Sequence, residues 1–237
     1  MPYMNGSWVL LILILVSSIP VIAVYIWFRA AKYQFSIVRF LFTLLAGAAA
    51  FFPALILQNF LNFSFSTPGR GPLFFNVFIR VAFTEELSRL LVLFIFFWIS
   101  ARINPGENPG RPLSYNRVKL GMAVGLVAGL GFALLESSVY AASDTGALLL
   151  RVFTAAPLHG ACGSRVGAAA VMFRTNPIQA VFRVVIAVAI HGVYNFMIAM
   201  PGFPSIAAVI IALSAFATAI ITIRSGWTSD ENTIRGA

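Results

Sequence analysis

Residues 119–142 read KLGMAVGLVAGLGFALLESSVYAA. After the opening lysine a single charge, Glu136, interrupts the run. As a helix it would extend about 36 Å at ~1.5 Å per residue, more than the ~30 Å hydrocarbon core of a bilayer. Gly121, Gly125 and Gly129 recur at every fourth position and share one face, and small residues at this spacing let membrane helices approach closely. The next residues along that face are Phe132, Glu136 and Tyr140, which close packing carries toward the bundle interior.

Runs of the same kind, bounded by charge, proline and glycine, recur on both sides of this one. They predict helices at about 8–28, 39–60, 74–100, 119–142, 147–173, 178–200 and 205–223. Of the 237 residues 60% are hydrophobic and 10% charged, against roughly 45–50% and about 25% in soluble domains. The expected fold is therefore all-α, a polytopic membrane bundle of about seven transmembrane helices forming a single domain over 1–237. The first run lacks a basic segment before it and has Arg29 and Lys32 after it, so it reads as a retained helix and not a signal peptide.

Basic residues are unequally shared between the two sides. Arg29, Lys32, Arg39, Arg102, Arg111, Arg117, Lys119, Arg174, Arg224 and Arg235 fall on one side, and the other has only Arg70 with Asp144 in a turn. The positive-inside rule then puts the N-terminus outside and the C-terminus in the cytoplasm. This placement also accounts for the net charge of +9 without a nucleic-acid partner. The one cysteine, Cys162, can form neither an internal disulfide nor a Cys-rich metal cluster.

Three of the seven acids, Glu85, Glu86 and Glu136, lie within predicted spans, as do both histidines, His159 and His191. An ionisable group at the bilayer centre costs at least ~2.5–3.5 kcal/mol and marks a functional site by default. Counted from the outer helix ends at about 1.5 Å per residue, Glu85 lies ~16 Å deep, His159 ~18 Å, His191 ~13 Å and Glu136 ~9 Å, so four helices present ionisable groups at comparable depth. Arg89 stands three residues after Glu86 and four after Glu85, close enough to reach both carboxylates. That pattern fits a general base beside a structural partner. His191 and Asn195 share a face of the sixth helix, and together they could donate to a developing oxyanion. Arg151, Arg165 and Arg183 lie near enough to helix ends to snorkel, while Arg80 is placed to pair with a carboxylate.

The same residues carry a resemblance. Phe83-Thr84-Glu85-Glu86-Leu87-Ser88-Arg89 looks like the EExxK/R element of the PrsW family of membrane proteases, and the segment Gly131 to Tyr140 looks like its GFAxxEN element. Pro157-Leu158-His159 and His191-Gly192-Val193-Tyr194-Asn195 resemble its third and fourth elements. The four occur in order across 83–195. This sequence departs from the pattern at Arg89, where lysine is frequent, at Ser137, where asparagine is usual, and at Gly160, where alanine is common. The family is similar to the CAAX prenyl endopeptidases and bacteriocin-immunity proteins, and more distantly to the scaffold subunit of gamma-secretase. The resemblance implies an intramembrane endopeptidase in which Glu85, supported by Glu86, and His159 activate water while His191 and Asn195 stabilise the oxyanion. Arg89, Glu136 and Phe132 are then supporting residues.

The resemblance leaves metal dependence open. His159, His191 and Glu136 could form a His₂Glu zinc site with Glu85 as base, but there is no HExxH and the ligands would come from three helices. The reading preferred on sequence needs no cofactor, with zinc a close alternative. The expected partners are a membrane-protein substrate with a single span, such as an anti-sigma factor, and the lipid bilayer; the expected location is a prokaryotic cytoplasmic membrane. Two other functions are compatible with intramembrane glutamate and histidine, a catalytically silent scaffold and a proton- or cation-coupled transporter. Retention of both glutamates, both histidines and Asn195 speaks against the first, and the lack of an internal repeat against the second.

Overall fold

The structure, a computed structural model, describes residues 6–33, 35–62, 69–103, 115–141, 151–200, 202 and 205–225. Every regular element among them is helical: α1 (Gly6–Ala30), α2 (Ile37–Ala49), α3 (Phe51–Phe60), α4 (Arg70–Phe74), a π-helical segment (Phe75–Phe83), α5 (Thr84–Ile103), α6 (Tyr115–Ala141), α7 (Ala155–Met172), α8 (Pro177–Ala199) and α9 (Ser205–Ser225). The protein is an all-α membrane helix bundle. Four stretches among the described residues are long and apolar enough to cross a bilayer: Ile37–Phe60, Arg117–Val139, Pro177–Ala199 and Ile206–Ser225. Leu15–Ala30 is a shorter apolar helix. Large apolar side chains such as Leu45, Phe60, Ile178, Phe182 and Ile206 point outward and are well exposed, as a lipid-facing surface requires.

The centre of the bundle is the pair α6 and α7, which pack chiefly on each other. Gly121, Gly125 and Gly129 of α6 face Gly167, Gly163 and His159 of α7. A Cβ added at Gly125 or Gly129 would overlap the main-chain carbonyl of Gly163 or His159, so the glycines set how near the two backbones come. Phe132 and Glu136 are buried, and the side chain of Tyr140 lies outside the described residues.

Three elements differ from the runs expected from sequence. The helix expected at 39–60 is two helices, interrupted at Ala50. Pro53 has no N–H to offer Ala49 and breaks the ladder there; α2 then packs mainly on α6, and α3 on α5. The helix expected at 74–100 begins as a π-helix, whose wider turn rotates the residues after it relative to an α-helical register. Phe78 of that segment lies against Gly192 of α8, where any added Cβ would overlap its ring. Thr84 Oγ1 donates to the carbonyls of Arg80 (2.6 Å) and Val81 (3.0 Å) at the π-to-α junction. The helix expected at 147–173 is broken at Thr154 (φ −126°, ψ −58°) and continues as α7; residues 147–150 are outside the described residues.

Candidate active site

Arg89 organises the site. Its side chain is fully buried, and Nη2 lies 2.8 Å from Glu86 Oε1 and 3.6 Å from Glu85 Oε2. The one guanidinium therefore serves both carboxylates, as the i, i+3 and i, i+4 spacing allows. Nη2 also donates to His159 Nδ1 at 3.1 Å, and Nη1 to the His159 carbonyl at 3.5 Å. The guanidinium sits over the Phe132 ring, 4.6 Å from its centroid, and that ring packs against His159.

The partners assign the two histidine tautomers. Arg89 has only donors, so His159 Nδ1 accepts; the proton sits on Nε2 and goes to Glu136 Oε2 at 2.8 Å. Glu86 Oε1 accepts from His191 Nδ1 at 2.8 Å, and His191 Nε2, the acceptor nitrogen of the neutral ring in that tautomer, lies 3.7 Å from Glu85 Oε2. The two rings meet edge to face with centroids 4.9 Å apart. Glu86 thus orients a histidine, while Glu85 Oε2 is buried without a hydrogen bond. Its other oxygen, Oε1, accepts from Gln58 Nε2 at 3.2 Å.

Glu85, Glu86, His159, His191, Arg89, Glu136 and Phe132 all meet in this one buried place, on α5, α6, α7 and α8. Asn195, one turn beyond His191, is half-buried and makes no side-chain hydrogen bond among the described residues. The ligand atoms of Glu85, His159 and His191 lie within 4.8 Å of one another. Glu136 is outside this group, so the grouping differs from the expected His159, His191 and Glu136 set in having Glu85 as its carboxylate. Its Oε2 is already taken by His159 Nε2 and, at 2.7 Å, by Arg151 Nη2.

Arg151 therefore does not snorkel, because an intramembrane carboxylate lies within its reach. Arg165, half-buried, donates to the carbonyls of Ala161 (2.9 Å) and Ala215 (3.5 Å) and to Thr218 Oγ1 (3.0 Å). Among the described residues Arg80 meets no carboxylate; it donates to the Gln58 carbonyl at 3.0 Å and to Asn76 Oδ1 at 3.1 Å. Gln58 had no place in the sequence reading, although the Gln58-Asn59 amide pair near the end of an apolar run was a visible signal. Tyr194, inside the fourth motif, ties α8 to the break before α7 through its hydroxyl, 2.8 Å from Thr154 Oγ1.

The profile of the PrsW family of intramembrane metalloproteases matches residues 37–221, most of the chain and all of this site. The chain belongs to that family. As a PrsW-family protein it is an intramembrane protease, a peptidase that crosses the membrane several times and takes membrane-embedded substrates. No curated protein and no solved structure matches it. The four PrsW-like elements read from the sequence are the segments that supply these buried ionisable side chains.

Proposed function

We propose that this PrsW-family chain is an endopeptidase of a prokaryotic cytoplasmic membrane that cuts single-pass membrane proteins in or near the bilayer, with Glu85 and His191 holding the attacking water; His191 takes the part expected of His159, whose two ring nitrogens are engaged by Arg89 and Glu136. One observation carries this reading: Glu85 Oε2 and His191 Nε2 face each other across 3.7 Å, both buried and both able to accept. A water donating one hydrogen to each has its oxygen lone pair free for a carbonyl carbon. As the water attacks, Glu85 takes its proton and the new C–O bond gives a tetrahedral oxyanion. Asn195 is the donor to that oxyanion. Glu85 then returns the proton to the leaving amine as the C–N bond breaks, which releases a carboxyl end and a new N-terminus. Glu86 keeps His191 in the acceptor tautomer, and Arg89 balances the two neighbouring carboxylates.

A second reading, in which the site holds zinc, is favoured by the convergence of Glu85, His159 and His191. The residues fit such an ion. They form a His₂Glu donor set in which Glu85 Oε2 has no hydrogen bond, three carboxylates face only two guanidiniums, and His159 would offer a lone pair only by giving up Arg89 or Glu136. Zinc bound there would supply Lewis acidity and a water ionising near neutral pH. Glu86 would then steady His191 from the second ring nitrogen.

The test is to reconstitute the protein in lipid nanodiscs with a tagged panel of single-pass membrane segments and to label new N-termini. Glu85→Gln, which keeps the shape and removes the base, should abolish their release while the protein still inserts and folds. Turnover near that of wild type in the purified variant would remove Glu85 from the mechanism. Metal content of wild type and His191→Ala, measured on the same preparations, separates the readings: zinc in the first and its loss in the second supports a metal site.

A further inference from the structure

α3 ends at Phe60, where the regular ladder of amide donors to its last carbonyls runs out. Leu57 O takes the Leu61 amide at 3.0 Å, and Asn59 O takes the Asn62 amide at 3.3 Å. The Gln58 carbonyl accepts instead from Arg80 Nε at 3.0 Å, and Arg80 is itself held by Asn76 Oδ1 at 3.1 Å. A cation at a helix C-terminus satisfies the free carbonyls and complements the dipole. The π-helical segment thus caps α3 at the residue whose side chain reaches the site.

That side chain gives Glu85 its one hydrogen bond among the described residues, from Gln58 Nε2 to Oε1 at 3.2 Å. The terminal torsion of a glutamate is broad and roughly two-fold, so the carboxylate plane is fixed only by what touches it. Without Gln58 its nearest cation is Arg89, 3.6 Å from Oε2. Closing onto that fork as a bidentate pair would take Oε2 away from His191. An amide suits the position, because it orients the carboxylate without neutralising it as a lysine would.

We propose that Gln58 is a positioning residue for hydrolysis, one that fixes the plane of the Glu85 carboxylate, and that Arg80 acts through it by capping α3. The inference rests on Glu85 being the base. Gln58→Met keeps the length and removes the donor. With the single-pass segment cleaved fastest in the nanodisc panel, it should lower kcat by about tenfold to a hundredfold, the usual range for losing a hydrogen bond to a charged group, and leave KM within about twofold. Arg80→Met should lower kcat similarly, Arg80→Lys should restore most of it because an ammonium also caps a carbonyl, and the double methionine variant should be no slower than the slower single one. Wild-type kcat in folded Gln58→Met, or an unchanged kcat with raised KM, overturns the proposal. If Gln58→Met does not fold, the contrast between Arg80→Met and Arg80→Lys carries the test, and equal rates in those two overturn it. Activity in Glu85→Gln would instead sink the reading of the base, whereas an inactive Glu85→Gln beside a fully active Gln58→Met would sink the Gln58 role alone.

Discussion

Replacing Arg89 by methionine should destabilise the whole bundle. The side chain is fully buried, and its Nη2 lies within 3.6 Å of Glu86 Oε1, His159 Nδ1 and Glu85 Oε2. Methionine fills much of the same volume and leaves two buried carboxylates with no guanidinium. Removing one member of a buried ion pair costs about 3–5 kcal/mol. In a chain of this size each kcal/mol moves the midpoint of thermal unfolding by roughly 2–4 °C, so a drop of roughly 6–20 °C is expected by the same rules. Arg89→Lys keeps the charge but not the planar fork, so it loses the Nη1 bond to the His159 carbonyl, and its drop should be smaller. The chain carries its own reporter, since Cys162 is its one cysteine and is free and buried. A thiol-reactive fluorophore added in detergent will label it only as the bundle opens. An Arg89→Met midpoint within about 2 °C of wild type would refute the idea that the guanidinium holds charged carboxylates together, since the rule for broken buried pairs allows no such result.

Asn195→Ala should lower kcat by roughly 10²–10³ with little change in KM, as expected for a donor that acts only on the transition state; an unchanged kcat with raised KM would make the asparagine a substrate-binding group. The proposed seven-span topology puts tags at the N-terminus and in the 61–73 connection outside, and tags in the 101–118 connection and at the C-terminus in the cytoplasm. A cytoplasmic N-terminus in a protease-protection assay would overturn the count or the orientation.

Local spacing made part of the site legible. Glu85, Glu86 and Arg89 are one turn apart, so their mutual reach follows from helix geometry alone. Pairing across helices was not legible, because counting depth along each helix gives no rotation about its axis. That is why Glu136 was expected beside both histidines, where the ligand atoms that converge are those of Glu85, His159 and His191. The reading of 39–60 as one helix ran through Pro53, which membrane helices often tolerate, and the break matters because it carries Gln58 to Glu85. The π-helical turn left no local mark, and the seat of its Phe78 against Gly192 lies on a distant helix. Arg151 was misjudged because nearness to a helix end says where a cation can go, and only the fold says that Glu136 is closer.

Packing and chemistry share the same atoms in this bundle. Between helices in lipid the hydrophobic effect gives no net attraction, so close backbone contact and polar bonds hold them together. The His159 carbonyl shows both at once: it is the atom against which Gly129 packs, and it accepts from Arg89 Nη1 at 3.5 Å. The glycine contact fixes how near α6 lies to α7, and Glu136 follows Gly129 by seven residues, two turns along the same face. From there it reaches the ring of His159 at 2.8 Å. A side chain at position 129 would push the helices apart and carry Glu136 away from His159, although that position holds no functional group. Conversely, the ionisable residues link α5 to α7 and α8 through Arg89 and Glu86, so removing their charges loosens the bundle that positions the others. Loss of activity in any variant of this site therefore implicates the chemistry only where the unfolding midpoint has been shown to hold.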